Sequence, residues 1–154
     1  MLLLVVVFED FVASGGRRLE AGLVAAYGPD VGMDAYAVAI AYGWEHWVRV
    51  GVMGNPAGYL YRVGQSAARR ARNKHGFLPT PPPVRLPDVE PRLIPALEGL
   101  SESQRVCVVL VHALGWSPTE VADLLDIHVS SVRTHVRRGL ARLHDALEVR
   151  SNAG

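Results

Sequence analysis

An all-α chain is what this sequence predicts, arranged as two small helical domains joined by a proline-rich linker. Three observations carry that expectation. Apolar residues recur at steps of three and four along most of the chain, no stretch keeps the alternation of a half-buried strand, and seven of the ten prolines fall between Pro79 and Pro95. Proline fixes φ and removes an amide donor, so the run from Pro79 to Pro91 and its tail is extended connector rather than helix. The expected organisation is a helical domain over 1–75, a linker over 76–98 and a second helical domain over 99–154. A length of 154 residues suits two small domains, and 49% hydrophobic content is enough to bury a core.

In the first domain Phe8, Phe11, Val12, Leu19, Leu23 and Tyr27 follow helical spacing, with Ser14-Gly15-Gly16 weakening the middle of the pattern. Gly28-Pro29-Asp30 reads as a turn. A second helix is expected over Met33 to Trp47, with Ala37, Ile40, Ala41 and Trp44 facing inward, and after it a loop from Val50 to Gly54. Asn55-Pro56 marks the next start, the asparagine as cap and the proline at the first helical position. From there Leu60, Val63, Ala67 and Ala71 make an inward stripe, and Tyr59, Arg62, Ser66, Arg69 and Asn73 a polar, basic outward one.

The second domain is more sharply punctuated. Ser101 with Gln104 and Ser117 with Glu120 both have capping-box spacing, which fixes two helix starts. The first helix carries Val106, Val109, Leu110 and Leu114 inward. The second, short one carries Val121, Leu124 and Leu125 and ends near Asp126. In the last helix Val132, Val136, Leu140, Leu143 and Leu147 step by four, four, three and four, which is one helical face.

Charge is placed unevenly although the net value is only +1. Arg62 to Lys74 holds Arg62, Arg69, Arg70, Arg72 and Lys74 with no acid, and Val129 to Arg142 holds Arg133, Arg137, Arg138 and Arg142 with no acid. Local potential, not net charge, governs nucleic-acid binding. A short capped helix, a tight turn and a longer helix exposing Ser130, Ser131, Arg133, Thr134, Arg137 and Arg138 form a helix-turn-helix pattern, with the longer helix suited to the major groove. Arginine there can reach guanine edges, and serine or threonine can take bases or phosphates.

These residues also carry a family resemblance. The stretch from Ser117 to Leu143 resembles the fourth conserved region of extracytoplasmic-function sigma factors. Phe8-Glu-Asp-Phe11, the Trp44-Glu-His-Trp47 pair and Asn55-Pro-Ala-Gly-Tyr-Leu-Tyr-Arg-Val63 are similar to that family's second region in order and spacing. The resemblance implies a bacterial transcription initiation factor with promoter DNA and core RNA polymerase as partners, and an anti-sigma factor as a further one. It implies that Ser130, Ser131, Arg133, Thr134, Arg137 and Arg138 read the minus-thirty-five element. It likewise sets Tyr59, Arg62, Ser66, Arg69 and Arg70 against the minus-ten strand, with Val50 to Gly54 approaching a flipped base. Asp34, Tyr36, Ala37 and Val38 match the polymerase-docking helix, where Ala37 and Val38 replace a Gln-Glu pair usual in the family. Ser66 replaces a common asparagine, Arg70 a frequent aspartate, and His128 a capping serine.

Other functions are disfavoured. There is no phosphate-binding glycine loop, no metalloprotease helix and no nucleophile with a base, so no enzyme and no cofactor are expected. His128, His135 and His144 lack the three- or four-residue spacing that pairs ligands on one helical turn, and no metal is expected. Cys107 lies among valines and reads as a buried thiol; as the single cysteine it excludes an internal disulfide. The apolar opening Met1 to Val7 has no basic leader and is too short for a membrane span, so no membrane is expected and a reducing cytoplasm is the expected compartment. Two alternatives stay open. One is a degenerate sigma-like regulator; the other is a protein-interaction module, docking through the alanine-rich helix over Ala35 to Ala41, that opens no promoter.

Overall fold

The computed structural model of the protein describes residues 1–74 and 91–151, so most of the expected linker lies outside the described residues. Among the described residues there is no strand. Four helices precede the gap: α1 (Leu2–Tyr27), α2 (Pro29–Glu45), the single turn α3 (Trp47–Val50) and α4 (Pro56–Lys74). After it come α5 (Leu93–Glu98), α6 (Glu102–Val108), a π-helical turn (Val109–Ala113), α7 (Pro118–Leu125) and α8 (Val129–Ser151). Helix α5 occupies part of the segment expected to be linker.

Helix α1 runs unbroken through Ser14-Gly15-Gly16, where the Ser14 hydroxyl donates to the Asp10 carbonyl at 3.0 Å. Burial of Phe8, Leu19 and Leu23 on one side outweighs the local weakness of the glycines. Gly28, at φ 85°, turns the chain and Pro29 begins α2 directly, four residues earlier than the periodicity predicts.

The inward face of α2 corrects the sequence expectation. Gly32, Ala35, Ala39 and Gly43 are buried, whereas Ala37, Ala41 and Trp44 are exposed and Ile40 is half-buried. Contact distance is the reason. A Cβ on Gly32 would lie 2.6 Å from the Val24 Cα, and one on Gly43 would lie 2.9 Å from Leu60 Cδ1. The helices approach so closely that only small residues fit between them, and the bulky ones move to the rim. Trp44 rests there on Phe8, with ring centroids 5.4 Å apart.

Helix α4 is covered on more than one side, so its buried set is Gly58, Leu60, Tyr61, Gly64 and Ala68, with Val63, Ala67 and Ala71 only half-buried. Its start is as expected, since Asn55 Oδ1 accepts from the Gly58 amide at 3.0 Å. Both capping boxes are formed. Ser101 Oγ accepts from Gln104 N at 3.2 Å, and Ser117 Oγ from Glu120 N at 3.1 Å. Leu114 departs from the expected inward stripe and is 52% exposed, because the π-helical turn adds a residue to the winding and rotates Leu114 away from the core.

One core joins the two sequence blocks. Leu19, Leu23, Leu60 and Tyr61 from the first pack in one cluster with Val106, Leu110, Leu124 and Val132 from the second. The closest seam is at Gly22, where a Cβ would meet Leu124 Cδ2 at 2.5 Å and Tyr61 Cε2 at 3.2 Å. A smaller cluster of Leu100, Val108 and Leu143 holds α6 to α8.

Gly32→Ala should therefore force α1 and α2 apart rather than fill space, since the obstacle is backbone. A loss of about 1–3 kcal/mol in unfolding free energy is expected by urea denaturation; an unchanged midpoint would contradict the close approach.

Candidate nucleic-acid interface

Helices α7 and α8 form a helix-turn-helix unit around Asp126-Ile127-His128. Asp126 ends α7 in the left-handed region at φ 54°, which aspartate tolerates better than most residues, and the turn is closed by the Ile127 amide donating to Ala122 O at 3.1 Å. The His128 carbonyl then accepts from the amides of Ser131 (3.0 Å) and Val132 (3.2 Å), which starts α8. Val132 and Leu143 point into the core, Val136 and Leu147 are half-buried, and Leu140 is 38% exposed rather than internal. Gly139 takes the inner position instead, because α8 crosses α6 so tightly that a Cβ there would sit 2.6 Å from Val108 Cγ2.

On the opposite face Ser130, Arg133, Arg137 and Arg138 are exposed, with Ser131 and Thr134 half-buried between them. Positions three and four apart lie side by side on a helix, so these residues make one continuous polar strip. None of the three arginines forms an ion pair among the described residues. Arg142, one turn further on, donates to Gln104 Oε1 at 3.3 Å.

The basic face of α4 is placed differently. Arg62 Nη2 lies 2.6 Å from Asp126 Oδ2, and Arg69 Nη2 lies 2.9 Å from Glu102 Oε1. Asn55 Nδ2 donates to the Asp123 carbonyl. Residues 55, 62 and 69 are seven apart and share one stripe of the helix, so the outward face expected from the sequence is the edge along which α4 meets α6 and α7. Ser66 and Arg70 stay exposed. Tyr59 is half-buried, its hydroxyl 3.3 Å from that of Tyr42.

Glu102 is the centre of this contact. Its Oε1 accepts from Tyr27 Oη (2.6 Å), Arg69 Nη2 (2.9 Å) and Gln65 Nε2 (3.1 Å). Burial disfavours the charged carboxylate, but the hydrogen bonds from Tyr27, Arg69 and Gln65 and the Arg69 charge outweigh it and hold its pKa below the usual carboxylate range. Burial, and then the same carboxylate, push the Tyr27 hydroxyl well above its ordinary range. Arg18 adds an outer tie, 3.3 Å from Glu120 and 5.8 Å from the Trp116 ring. Arg105 reaches the other way, its Nε donating to the Ala26 carbonyl at 2.9 Å. Glu102, Asp126, Arg18 and Arg105 were not singled out by sequence reasoning, because their partners lie 33 to 102 positions away.

On α2, Asp34, Ala37 and Val38 are exposed, while Tyr36 is half-buried beside Gly16. Of the loop expected to approach a base, Val50 is buried within α3, Val52 is 85% exposed and Gly54 has open space around it. No helix of the described residues is long and apolar enough to cross a membrane.

Residues 92–143 match the family described as "Sigma-70, region 4". The match runs from the start of α5 into α8, about a third of the chain. It begins at Arg92 and so takes in α5. Among solved structures, the sigma factor RpoE in complex with the anti-sigma factor NepR from Bartonella quintana is similar with a TM-score of 0.64 at 19% identity, over 92% of this chain and 97% of that one. CnrH in complex with the cytosolic domain of CnrY is similar with a TM-score of 0.57 at 21% identity, over 92% of this chain and 88% of that one. No curated protein matches the chain. The chain shares the helical fold of both of these structures.

A carboxylate with a lowered folded-state pKa stabilises the fold fully above its unfolded pKa, and that contribution disappears as pH falls through the folded value. The two halves are therefore expected to loosen as pH falls through and below the ordinary carboxylate range, read as an increase in radius of gyration by X-ray scattering. Glu102→Gln should flatten that acid limb. An identical limb in wild type and variant would exclude Glu102 as the responsible group.

Proposed function

We propose that this chain directs RNA polymerase to promoters, with α8 reading the minus-thirty-five element in the major groove and α4 holding the minus-ten strand. The observation that carries the reading is the strip Ser130, Ser131, Arg133, Thr134, Arg137 and Arg138. It is polar, rich in cations without an acidic partner among the described residues, and fixed from behind by Val132 and Leu143 in the core. Arg133 and Arg137, one turn apart, are suited to base edges, and Arg138 to phosphate. On α4, Arg62 and Arg69 would hold phosphates, with Tyr59, Ser66 and Arg70 beside the separated strand.

Core polymerase would dock on the outer face of α2 through Asp34, Tyr36, Ala37 and Val38. An anti-sigma protein is proposed as a regulatory partner, by analogy with the complex of RpoE with NepR.

The arrangement around Glu102 and Asp126 adds a condition. Arg62 and Arg69 each face a carboxylate from the region 4 half, and a carboxylate competes for the same guanidinium donors that a phosphate would use. Strand binding by α4 therefore requires Asp126 and Glu102 to be displaced, whereas α8 needs no such exchange.

A second reading is favoured by one observation. The outer face of α2 is unusually apolar, with Val38 48% and Trp44 49% exposed beside Ala37 and Ala41. That face suits an apolar partner helix, and a chain used in this way would bind DNA or protein without opening a promoter.

Incubation with core polymerase and a promoter carrying both elements, read by permanganate reactivity of unpaired thymines, separates the two. Melting is expected. Binding without melting would favour the second reading. Arg133→Ala and Arg137→Ala should each weaken duplex affinity by about 5- to 150-fold, corresponding to roughly 1–3 kcal/mol for a good base contact, and affinity should fall steeply with salt. Two variants with wild-type dissociation constants would dismiss α8 as the reading helix. Asp126→Asn keeps the left-handed turn while removing the charge, so it should raise affinity for a minus-ten single strand without altering duplex binding; a lower single-strand affinity would argue against competition at Arg62.

A further inference from the structure

We propose that the groove between α1, the end of α4 and α5 is a binding site for a fatty-acyl carboxylate, its head group held by Arg72 and Arg105 and its chain lying on Leu97, Val109 and Leu114. The site uses none of the residues assigned above to DNA or polymerase and does not depend on the promoter reading.

The walls come from both halves of the protein. Val24 on α1 and Arg72 on α4 face Leu97 on α5, Arg105 on α6 and Val109 on the π-helical turn, around a space of about 960 Å³. Small-molecule sites are typically clefts of about 300–1,000 Å³. The mouth carries two bulky apolar side chains left uncovered by the described residues, Ile94 at 38% and Leu114 at 52% exposure. Leu114 is there because of the wider winding of the π-helical turn, in which its amide donates to the Val109 carbonyl at 3.1 Å. Turns of this kind occur frequently at functional sites.

The polar side of the groove is cationic. Arg105 is half-buried, and its hydrogen-bond partners among the described residues are all backbone carbonyls: Nε donates to Ala26 at 2.9 Å, and Nη1 lies 3.4 to 3.5 Å from Leu97, Glu98 and Leu100. Arg72 sits 5.9 Å over the Tyr27 ring and Arg17 is exposed; neither forms an ion pair among the described residues. Glu20 and Glu98 also line the groove, but neither pairs with an arginine there. Burial, and then the positive charge of Arg72, weigh against the charged form of Arg105 and outweigh the opposing pull of Glu102 and Glu98, lowering its pKa from the ordinary value. Two guanidiniums close enough to repel each other are relieved by one anion between them, and a carboxylate matches their planar donors. A bare inorganic anion would leave the apolar walls unused, and a neutral hydrocarbon would leave the repulsion in place. A carboxylate on an acyl chain answers both. Since the walls belong to both halves, the bound acid also ties them together.

Calorimetric titration of the full chain with laurate below its micellar concentration tests the site, with dodecanol as the chain alone and inorganic phosphate as the anion alone. Laurate should bind at one site per chain, and each control about tenfold more weakly or worse. Leu114→Glu changes an exposed side chain and should weaken laurate by about tenfold. Arg72→Gln should weaken it by about 2- to 5-fold, the range of an exposed ion pair, and leave dodecanol unaffected. Saturating laurate should raise the urea midpoint of the wild type more than that of Leu114→Glu; the midpoints without laurate serve as the folding control. Dodecanol or phosphate binding as tightly as laurate, wild-type laurate affinity in both variants, or no laurate binding at all overturns the site.

Discussion

A single half-buried carboxylate, Glu102, sets how the two halves of this protein meet. It opens α6, accepts from Tyr27 on α1 and from Gln65 and Arg69 on α4, and so ties three helices at one oxygen. A charge removed partly from water is costly unless its lone pairs are filled, so this position admits few relative placements of the helices. The rest of the seam depends on it. With Arg69 fixed at Glu102, the same stripe of α4 brings Arg62 to Asp126 and Asn55 to the Asp123 carbonyl, and Leu124 comes to lie against Gly22 and Tyr61.

The consequence is an electrostatic asymmetry between the two basic helices. Along α8, Arg133, Arg137 and Arg138 face outward with no acidic partner among the described residues, so the field there attracts phosphate at long range. Along α4, Arg62 and Arg69 are neutralised by acids from the other half, whereas Arg70 on the same helix and Arg49 on α3 have no acidic partner among the described residues. The region 4 match covers α8 alone of this pair, and the overall fold covers both.

Much of the architecture was legible because it is written in local signals. Two capping boxes, Asn55-Pro56 and the four-four-three-four valine and leucine spacing of α8 depend on neighbours within a turn or two, and each capping signal produced the expected helix start. The errors share a different cause. On α2 and around Gly139 the helices approach within a Cβ of one another, so small residues are internal and large ones such as Trp44 and Leu140 lie at the rim, the reverse of what hydrophobicity alone suggests. Leu114 was misplaced by a π-helical turn that no local pattern announces. The polar strip of α8 was visible as a run of polar and basic residues without acids. The engagement of Arg62 and Arg69 was not, since Glu102 and Asp126 are distant in sequence and look like an ordinary helix start and helix stop.

Which part of the seam resists opening can be decided from magnitudes. Arg62 and Asp126 are each more than half exposed, and pairs of that kind contribute about 0–1 kcal/mol. Phosphates presented by a bound strand can displace such a pair without outside help. The Leu124 contact is of another order, because a fully buried leucine is worth roughly 1.5–3 kcal/mol, and Val121 and Leu110 lie in the same cluster. Ionic exchange alone thus frees the edge of α4 while leaving the halves together. Full separation requires a partner that covers the apolar seam or binds the separated halves more tightly than they bind each other. The charged stripe is thus the weaker tie between the halves, and the apolar seam the stronger one.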